Sequence, residues 1–325
     1  MNIVEISNKF PTEHEAVLFA EKIRWGKKPK CTYCESQKVS KRTKDMRYKC
    51  YECKNTFSVT VGTQIHNTRL PVKTWFFALS LITDAKKGLS ARQLQRNLNI
   101  SYPTAHKMYM RIRKWMSEEN NTQPELDGVV EMDTAYIGGK PRKQKNVDCI
   151  PQKKVVRLDE RIKELNQAGV NFKGKRGAVK CIPSKRGKGT KNIPITGIVE
   201  RDGNVFVEVT KTLNADIVKK LVKKYVKEDD AVIVTDEDTA HRKLHDIIEH
   251  VAIDHKRMYS YKGVNTNSIE SFWAIIKRGI IGQYHKISPK NLPEYIAEFV
   301  FKYNNRKDDE VMFETLVRNA LQNKN

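Results

Sequence analysis

No apolar run in this 325-residue chain is long enough to span a bilayer. The longest nearly uninterrupted stretch, Trp75 to Ile82, falls far short of the roughly 18–20 residues a membrane helix needs. The first ten residues, MNIVEISNKF, lack a basic start followed by an apolar core, so no secretory leader is expected. Phosphate-cradling glycine loops, Ser or Cys nucleophile patterns, internal repeats and heptads long enough for a coiled coil are also missing. Those absences argue against ATP-driven and serine-nucleophile chemistries. Acid is scarce as well: 38 Asp and Glu face 61 Lys and Arg, a net charge of +23. The expectation is a cytoplasmic protein attracted to polyanions, of which nucleic acid is the commonest large one in a cell. An acidic protein or an anionic membrane surface is the alternative partner. Disorder is not expected at 39% hydrophobic residues with 12 Tyr, 11 Phe and 4 Trp. The length suggests about two or three domains.

The charge is unevenly placed. Between Gly139 and Pro194 lie 17 Lys and Arg against four acids, so thirteen of the excess charges sit in one Gly- and Pro-dotted stretch. It reads as a basic insertion, about 140–192, either a solvated loop or an arm that tracks a polyanion, with a short helix at 155–165. Cysteine is sparse but patterned. Cys31-x2-Cys34 and Cys50-x2-Cys53 form two knuckles that can point four sulfurs at one centre, a tetrahedral site that selects one structural zinc. Arg47 to Lys49 and Thr56 to Val59 alternate as short strands, completing a zinc ribbon. Cys149 and Cys181 are expected to be isolated thiols.

Around the ribbon the pattern is helical. Thr12-x-x-Glu15 is a capping box opening a helix to about Arg24. Pro71 leads a helix with Trp75, Phe76, Leu79 and Ile82 on one face. Ser90 caps a short helix, Asn99 to Ser101 make a turn, and a longer helix follows from about Tyr102 to Ser117. This reads as a helix-turn-helix that presents Ser101, Thr104, His106, Lys107 and Arg111 to a DNA groove. A bundle that binds nothing has the same periodicity.

The chemistry-bearing residues are carboxylates. GVVEMDTAYI, Gly128 to Ile137, alternates as a strand with Asp133 near its middle. Ile195 to Thr210 reads as a hairpin about Asp202-Gly203, and Asn214 to Val226 as a helix. Ala231 to Thr235 is an apolar strand with Asp236 at its carboxyl end, though Asp236, Glu237 and Asp238 also suit a helix cap. In the next helix Ile269, Phe272, Trp273, Ile276 and Ile280 share one face, and Asn267, Glu270 and Lys277 share a neighbouring one. Two strand aspartates and a helix glutamate can hold a pair of divalent cations for in-line phosphoryl transfer, and oxygen-only ligands suit Mg²⁺ or Mn²⁺. His241, His245, His250 and His255 are expected on a helix surface and not on a metal.

The ribbon, EMDTAYIGGK, VTDEDTAH, and above all NTNSIESFWAIIKRGIIGQYHKIS with FVFKYNNR resemble the IS1595-type insertion-sequence transposases, the ISXO2-like family. The resemblance covers most of the chain. It implies an α/β RNase H-like catalytic core, a mixed sheet with flanking helices, behind the N-terminal zinc ribbon and helix-turn-helix. It also implies DDE-type cleavage and strand transfer at terminal inverted repeats of double-stranded DNA, in a prokaryotic cell, by a homo-oligomer that is at least a dimer. On that basis Asp133 and Asp236 take the two aspartate positions. Glu270 is the third metal ligand, with Asn267 its rival, and Lys277 is a DNA-backbone contact. The implied domains are 1–62 (helix and ribbon), 63–122 (helix-turn-helix), 123–310 (catalytic) and 311–325 (C-terminal helix). A structure-specific nuclease or resolvase, and an inactive DNA-binding regulator, stay open as alternatives.

Overall fold

A computed structural model describes residues 1–42, 44–122, 124–138, 163–164, 167, 192–210, 212–236, 241, 244–253 and 265–322. Most of the short helix expected at 155–165 (all but residues 163 and 164), nearly all of the basic insertion, Cys149, Cys181, Glu237, Asp238 and His255 lie outside the described residues. The chain divides into two compact units, Met1–Ala135 with Pro194–Asn325, and Tyr136–Ile193. The first carries the four patterned cysteines, Asp133, Asp236 and Glu270. No helix among the described residues is long and apolar enough to cross a membrane.

Local signals set the helical part. Asn2 and Glu5 form a capping box before α1 (Ile3–Lys9), and Thr12 and Glu15 form another before α2 (Glu13–Trp25). Helix α3 (Val72–Asp84) has no side-chain cap of its own. The Glu13 carboxylate supplies one from α2, accepting from Val72 N at 2.7 Å and Lys73 N at 2.9 Å. Ser90 caps α4 (Ala91–Leu98), which ends on Asn99 in the left-handed conformation at φ 50°. Ser101 then caps α5 (Tyr102–Asn120). The apolar stripes of α1, α2, α3 and α5 meet in one core with Phe10, Trp75, Phe76, Leu79, Ile112 and Trp115 buried. The last helix of the chain, Asp309–Leu321, returns to this core and inserts Phe313 and Leu316.

The ribbon is a three-stranded antiparallel sheet, β1 (Val39–Arg42), β2 (Arg47–Cys50) and β3 (Thr56–Phe57). The larger sheet runs β6 (Val205–Val209), β5 (Ile193–Glu200), β4 (Leu126–Ile137), β7 (Val226–Asp236), β8 (Glu249–Ile253). Strands β4, β7 and β8 are parallel, and β5 and β6 form an antiparallel hairpin. Thr134 meets Thr196 while Arg201 N bonds Val129 O, which sets β4 and β5 antiparallel. Counted in chain order the sheet is 3-2-1-4-5 with strand 2 reversed, the RNase H-like arrangement that the resemblance implies. Alternation along β4 divides its faces. Val130 and Met132 pack with Val218, Leu221 and Val222 of α6 (Ala215–Tyr225), whereas Glu131 and Asp133 face α7 (Asn267–Gly279) on the other side.

Helix α8 (Leu292–Asn304) carries most of the FVFKYNNR segment, and its residues join helices to sheet. The Asn304 amide accepts from Val205 N at 2.8 Å and donates to Val205 O at 3.1 Å, so a side chain pairs with edge strand β6. Arg306 donates to Gly203 O in the β5–β6 turn at 3.1 Å. Phe301 is buried in the helical core. Beneath it the Glu298 carboxylate, fully buried, accepts from Arg113 Nε (2.8 Å), Tyr109 Oη (2.7 Å), Tyr284 Oη (3.0 Å) and Lys302 Nζ (2.6 Å). The Arg113 guanidinium lies over the rings of Tyr295 at 3.6 Å and Tyr109 at 3.8 Å. Against the cost of burial, Lys302 and Arg113 hold Glu298 well below the usual carboxylate range. A buried charge survives only when so fully paired.

Candidate functional site

Two groups of ligand-type side chains stand out, and they are built differently. In the ribbon the four cysteine Sγ atoms all lie within 4.8 Å of one another, with Cys31 to Cys53 and Cys34 to Cys50 each at 3.6 Å. A tetrahedral zinc with bonds near 2.3 Å sets its sulfurs about 3.8 Å apart, so the set fits zinc. The thiols are free. The backbone N–H of Cys53 leads in holding the Cys50 thiol down at about 7. Against a backbone bond from Ser36, burial and the three neighbouring sulfurs push Cys34 up to about 12. Four thiols so close share protons poorly, and a dication that replaces those protons removes the conflict. Tyr48 and Phe57 back the cluster and meet Trp25 of α2 edge-on at 5.5 and 5.9 Å. The Tyr48 hydroxyl donates to Glu21 at 2.9 Å.

The carboxylates come from three elements. Parallel register pairs Met132 with Thr235, so Asp133 and Asp236 follow side by side on the two central strands. Asp133 Oδ1 accepts from Thr134 N at 2.6 Å and Oδ2 from the Trp273 indole at 3.0 Å. Burial, and next the Asp236 charge, raise its pKa against those two donors. Asp236 is partly exposed, and His241, 1% exposed, sets Nδ1 3.1 Å from Asp236 Oδ1. The expected surface position for His241 is therefore corrected: it is buried behind a carboxylate. His250 is half-buried, within 2.9 Å of the Thr235 hydroxyl, and burial lowers its pKa.

The third element is α7. Asn267, Glu270 and Lys277 are all exposed on it. Glu270 and Lys277 stand about 20° apart around the axis, on one face. Glu270 Oε1 accepts from Thr266 Oγ1 at 3.3 Å. Asp133, Asp236 and Glu270 do not converge as the cysteines do: among the described residues, only the four cysteines bring three or more ligand atoms within 4.8 Å. Two all-oxygen carboxylates side by side, one raised by the other's charge, nevertheless suit a hard divalent cation such as Mg²⁺ or Mn²⁺.

Residues outside the sequence expectation hold α7 in place. Glu131, fully buried and two residues before Asp133, accepts from Ser268 N (2.8 Å), Ser268 Oγ (3.0 Å) and Ile269 N (3.0 Å), and pairs with Arg201 at 3.3 Å. Gly197 on β5 lets the helix sit flush, for a Cβ there would lie 2.7 Å from the Trp273 ring and 2.8 Å from Ile269 Cδ1. An acid two residues before Asp133 on the same strand face was the available signal. On α5, Lys107 and Arg111 are exposed, and His106 lies beside the Tyr102 ring at 6.1 Å. Ser101 and Thr104 bond each other at 2.8 Å within the helix cap. Arg92, absent from the expected set, stacks over Tyr102 at 4.3 Å.

These features define a zinc-ribbon protein with an RNase H-like α/β core. Two family models match it: the ISXO2-like transposase domain over residues 157–304 and the transposase zinc-ribbon domain over residues 11–56. Over those residues the chain is similar to the IS1595-type, ISXO2-like transposases. The first match takes in Asp236, Asn267, Glu270 and Lys277 but begins after Asp133, and the second takes in all four cysteines. The chain is 28% identical over 131 residues to an uncharacterized protein in transposable element ISH50 of Halobacterium salinarum. That match covers 39% of this chain and 43% of the relative, so less than half of the relative's length is spanned. Among solved structures it is similar to the Mos1 strand transfer complex at 12% identity and TM-score 0.29, over 76% of this chain and 74% of that one. It is likewise similar to the Mos1 paired-end complex with left transposon end at 12% identity and TM-score 0.27, over 77% and 80%.

Proposed function

We propose that this protein is a DNA transposase that binds the ends of its element, cuts DNA with water and joins the freed 3′-hydroxyl to target DNA. The observation that carries the reading is the placement of Asp133 and Asp236 at neighbouring positions on the two central parallel strands. Asp133, Asp236 and Glu270, with Asn267 as the rival third ligand, would hold Mg²⁺ or Mn²⁺. Bound there, the cation supplies Lewis-acid stabilisation of the oxygens that enter and leave phosphorus. The chain's own part is orientation: Trp273 and Thr134 aim the Asp133 carboxylate, His241 aims that of Asp236, and Lys277 meets the DNA backbone. Each step is attack of an oxygen on a phosphodiester with departure of a 3′-oxygen, so one site serves cutting and joining. The α4–α5 pair reads the element end through Lys107 and Arg111, with Ser101, Thr104 and His106 beside them. Pairing two ends calls for at least a dimer. The test is Asp133→Asn and Asp236→Asn in a cleavage and strand-transfer assay on a duplex bearing terminal inverted repeats. Both variants should lose Mg²⁺-dependent cutting while still binding the end, and intact cutting overturns the reading.

A further inference from the structure

The residues just before helix α7 cap only its first N–H group, that of Asn267, which donates to Asn265 Oδ1 at 3.2 Å. Thr266, at the N-cap position, caps no backbone N–H with its side chain, and its hydroxyl donates to Glu270 Oε1 instead. The next two N–H groups, of Ser268 and Ile269, go with the Ser268 hydroxyl to Glu131 across on β4. A carboxylate at a helix N-terminus both satisfies orphan donors and complements the helix dipole. A second tie joins the same strand and helix two residues further on, where Trp273 donates to Asp133. From Glu131 to Asp133 the strand advances about 6.6 Å. From Ser268 or Ile269 to Trp273 the helix advances about 6–7.5 Å. The two ties therefore match in spacing, and Glu270 falls on the helix between them.

We propose that Glu131 is a positioning residue: by clamping the first turn of α7 to β4 it sets where Glu270 stands relative to Asp133 and Asp236. This rests on the transposase reading, with the α7 acid as a metal ligand. Glu131 itself is fully buried, with both carboxylate oxygens committed to helix donors and Arg201. It acts through Glu270.

The experiment is Mn²⁺ titration of the full-length, zinc-loaded protein followed by electron paramagnetic resonance, without DNA. It compares wild type, Glu131→Gln, Glu270→Ala and the double variant. Residues that orient metal ligands typically change affinity by about 10- to 100-fold, so Glu131→Gln should weaken Mn²⁺ binding at least about 10-fold. Because the effect runs through Glu270, the double variant should bind no more weakly than Glu270→Ala alone. Unchanged Mn²⁺ affinity in Glu131→Gln, or losses that add in the double variant, overturns the proposal and leaves the transposase reading standing. If Glu131→Gln does not fold, Ser268→Ala carries the test, since it removes only the 3.0 Å hydroxyl bond. Weaker Mn²⁺ binding there supports the clamp, and unchanged binding overturns it. A wild-type protein that binds no Mn²⁺ sinks the metal site itself, and the clamp with it.

Discussion

In the ribbon, four ligand atoms come from the short stretch Cys31 to Cys53, and two knuckles turn them onto one centre. In the α/β core, Asp133, Asp236 and Glu270 come from β4, β7 and α7, and their arrangement depends on a strand register, a flush glycine and a buried acid. The ribbon's geometry is local, so its metal and its fold form together. The carboxylates are placed by the scaffold around them. Asp133 and Asp236 stand on adjacent strands, where burial and the Asp236 charge make Asp133 harder to ionise.

The contrast can be broken at several points. The largest effect belongs to zinc: structural sites of this kind contribute about 10–16 kcal/mol, so Cys50→Ser should abolish zinc binding and unfold the ribbon. Elemental analysis should find one zinc per wild-type chain and none in the variant, and a variant that keeps its zinc contradicts a four-thiolate site. Next, Asp236→Asn should slow cleavage at least about 1000-fold, or about 4 kcal/mol in the barrier, with zinc content unchanged. Loss of zinc alongside activity would mean that the two regions are not independent. Glu298→Ala, which leaves Arg113 and Lys302 buried without their anion, should cost about 3–5 kcal/mol in denaturant unfolding. Zinc release and loss of sheet signal should then move together, since α8 ties into both the helical core and β6.

The smallest expected effect has a sign that is easy to check. Burial and Asp236 raise the Asp133 pKa, so the native state holds a proton that the unfolded chain gives up near 3.9. Wild-type stability contributed by this group therefore falls as pH rises from that value to the raised one. Asp133→Asn should match wild type in Tm below the carboxylate range and exceed it at pH 8 without metal. Mg²⁺ should raise the wild-type Tm at pH 8 and leave the variant unmoved. A lower Tm for the variant at pH 8 would show that the acid stabilises the fold.

Much of this architecture was legible residue by residue. Thr12 and Glu15, Ser90, Asn99 and Ser101 mark helix ends through bonds within one turn, and each behaves as its type dictates. The CxxC spacings specify the ribbon, although the VSKR sequence of β1 carries no alternation that would mark it as a strand. Periodicity placed Asp133 and Asp236 on strands and Glu270 on a helix. It missed Glu131, whose partners on α7 lie more than 130 residues away in the chain. It also put His241 on a surface, because burial behind Asp236 is settled by the strand end and not by spacing.

The sequence by itself therefore determined the ribbon, the helix boundaries, the excess positive charge and the identity of the acids, all of which depend on neighbours within a few residues. Only the tertiary structure decided that Asp133 lies beside Asp236, that Glu131 caps α7, and that Asn304 closes the edge of β6. The physical reason is that each of these rests on a bond or register between distant segments. A side chain's partners across a sheet are chosen by the packing of the whole core, and no local pattern encodes them.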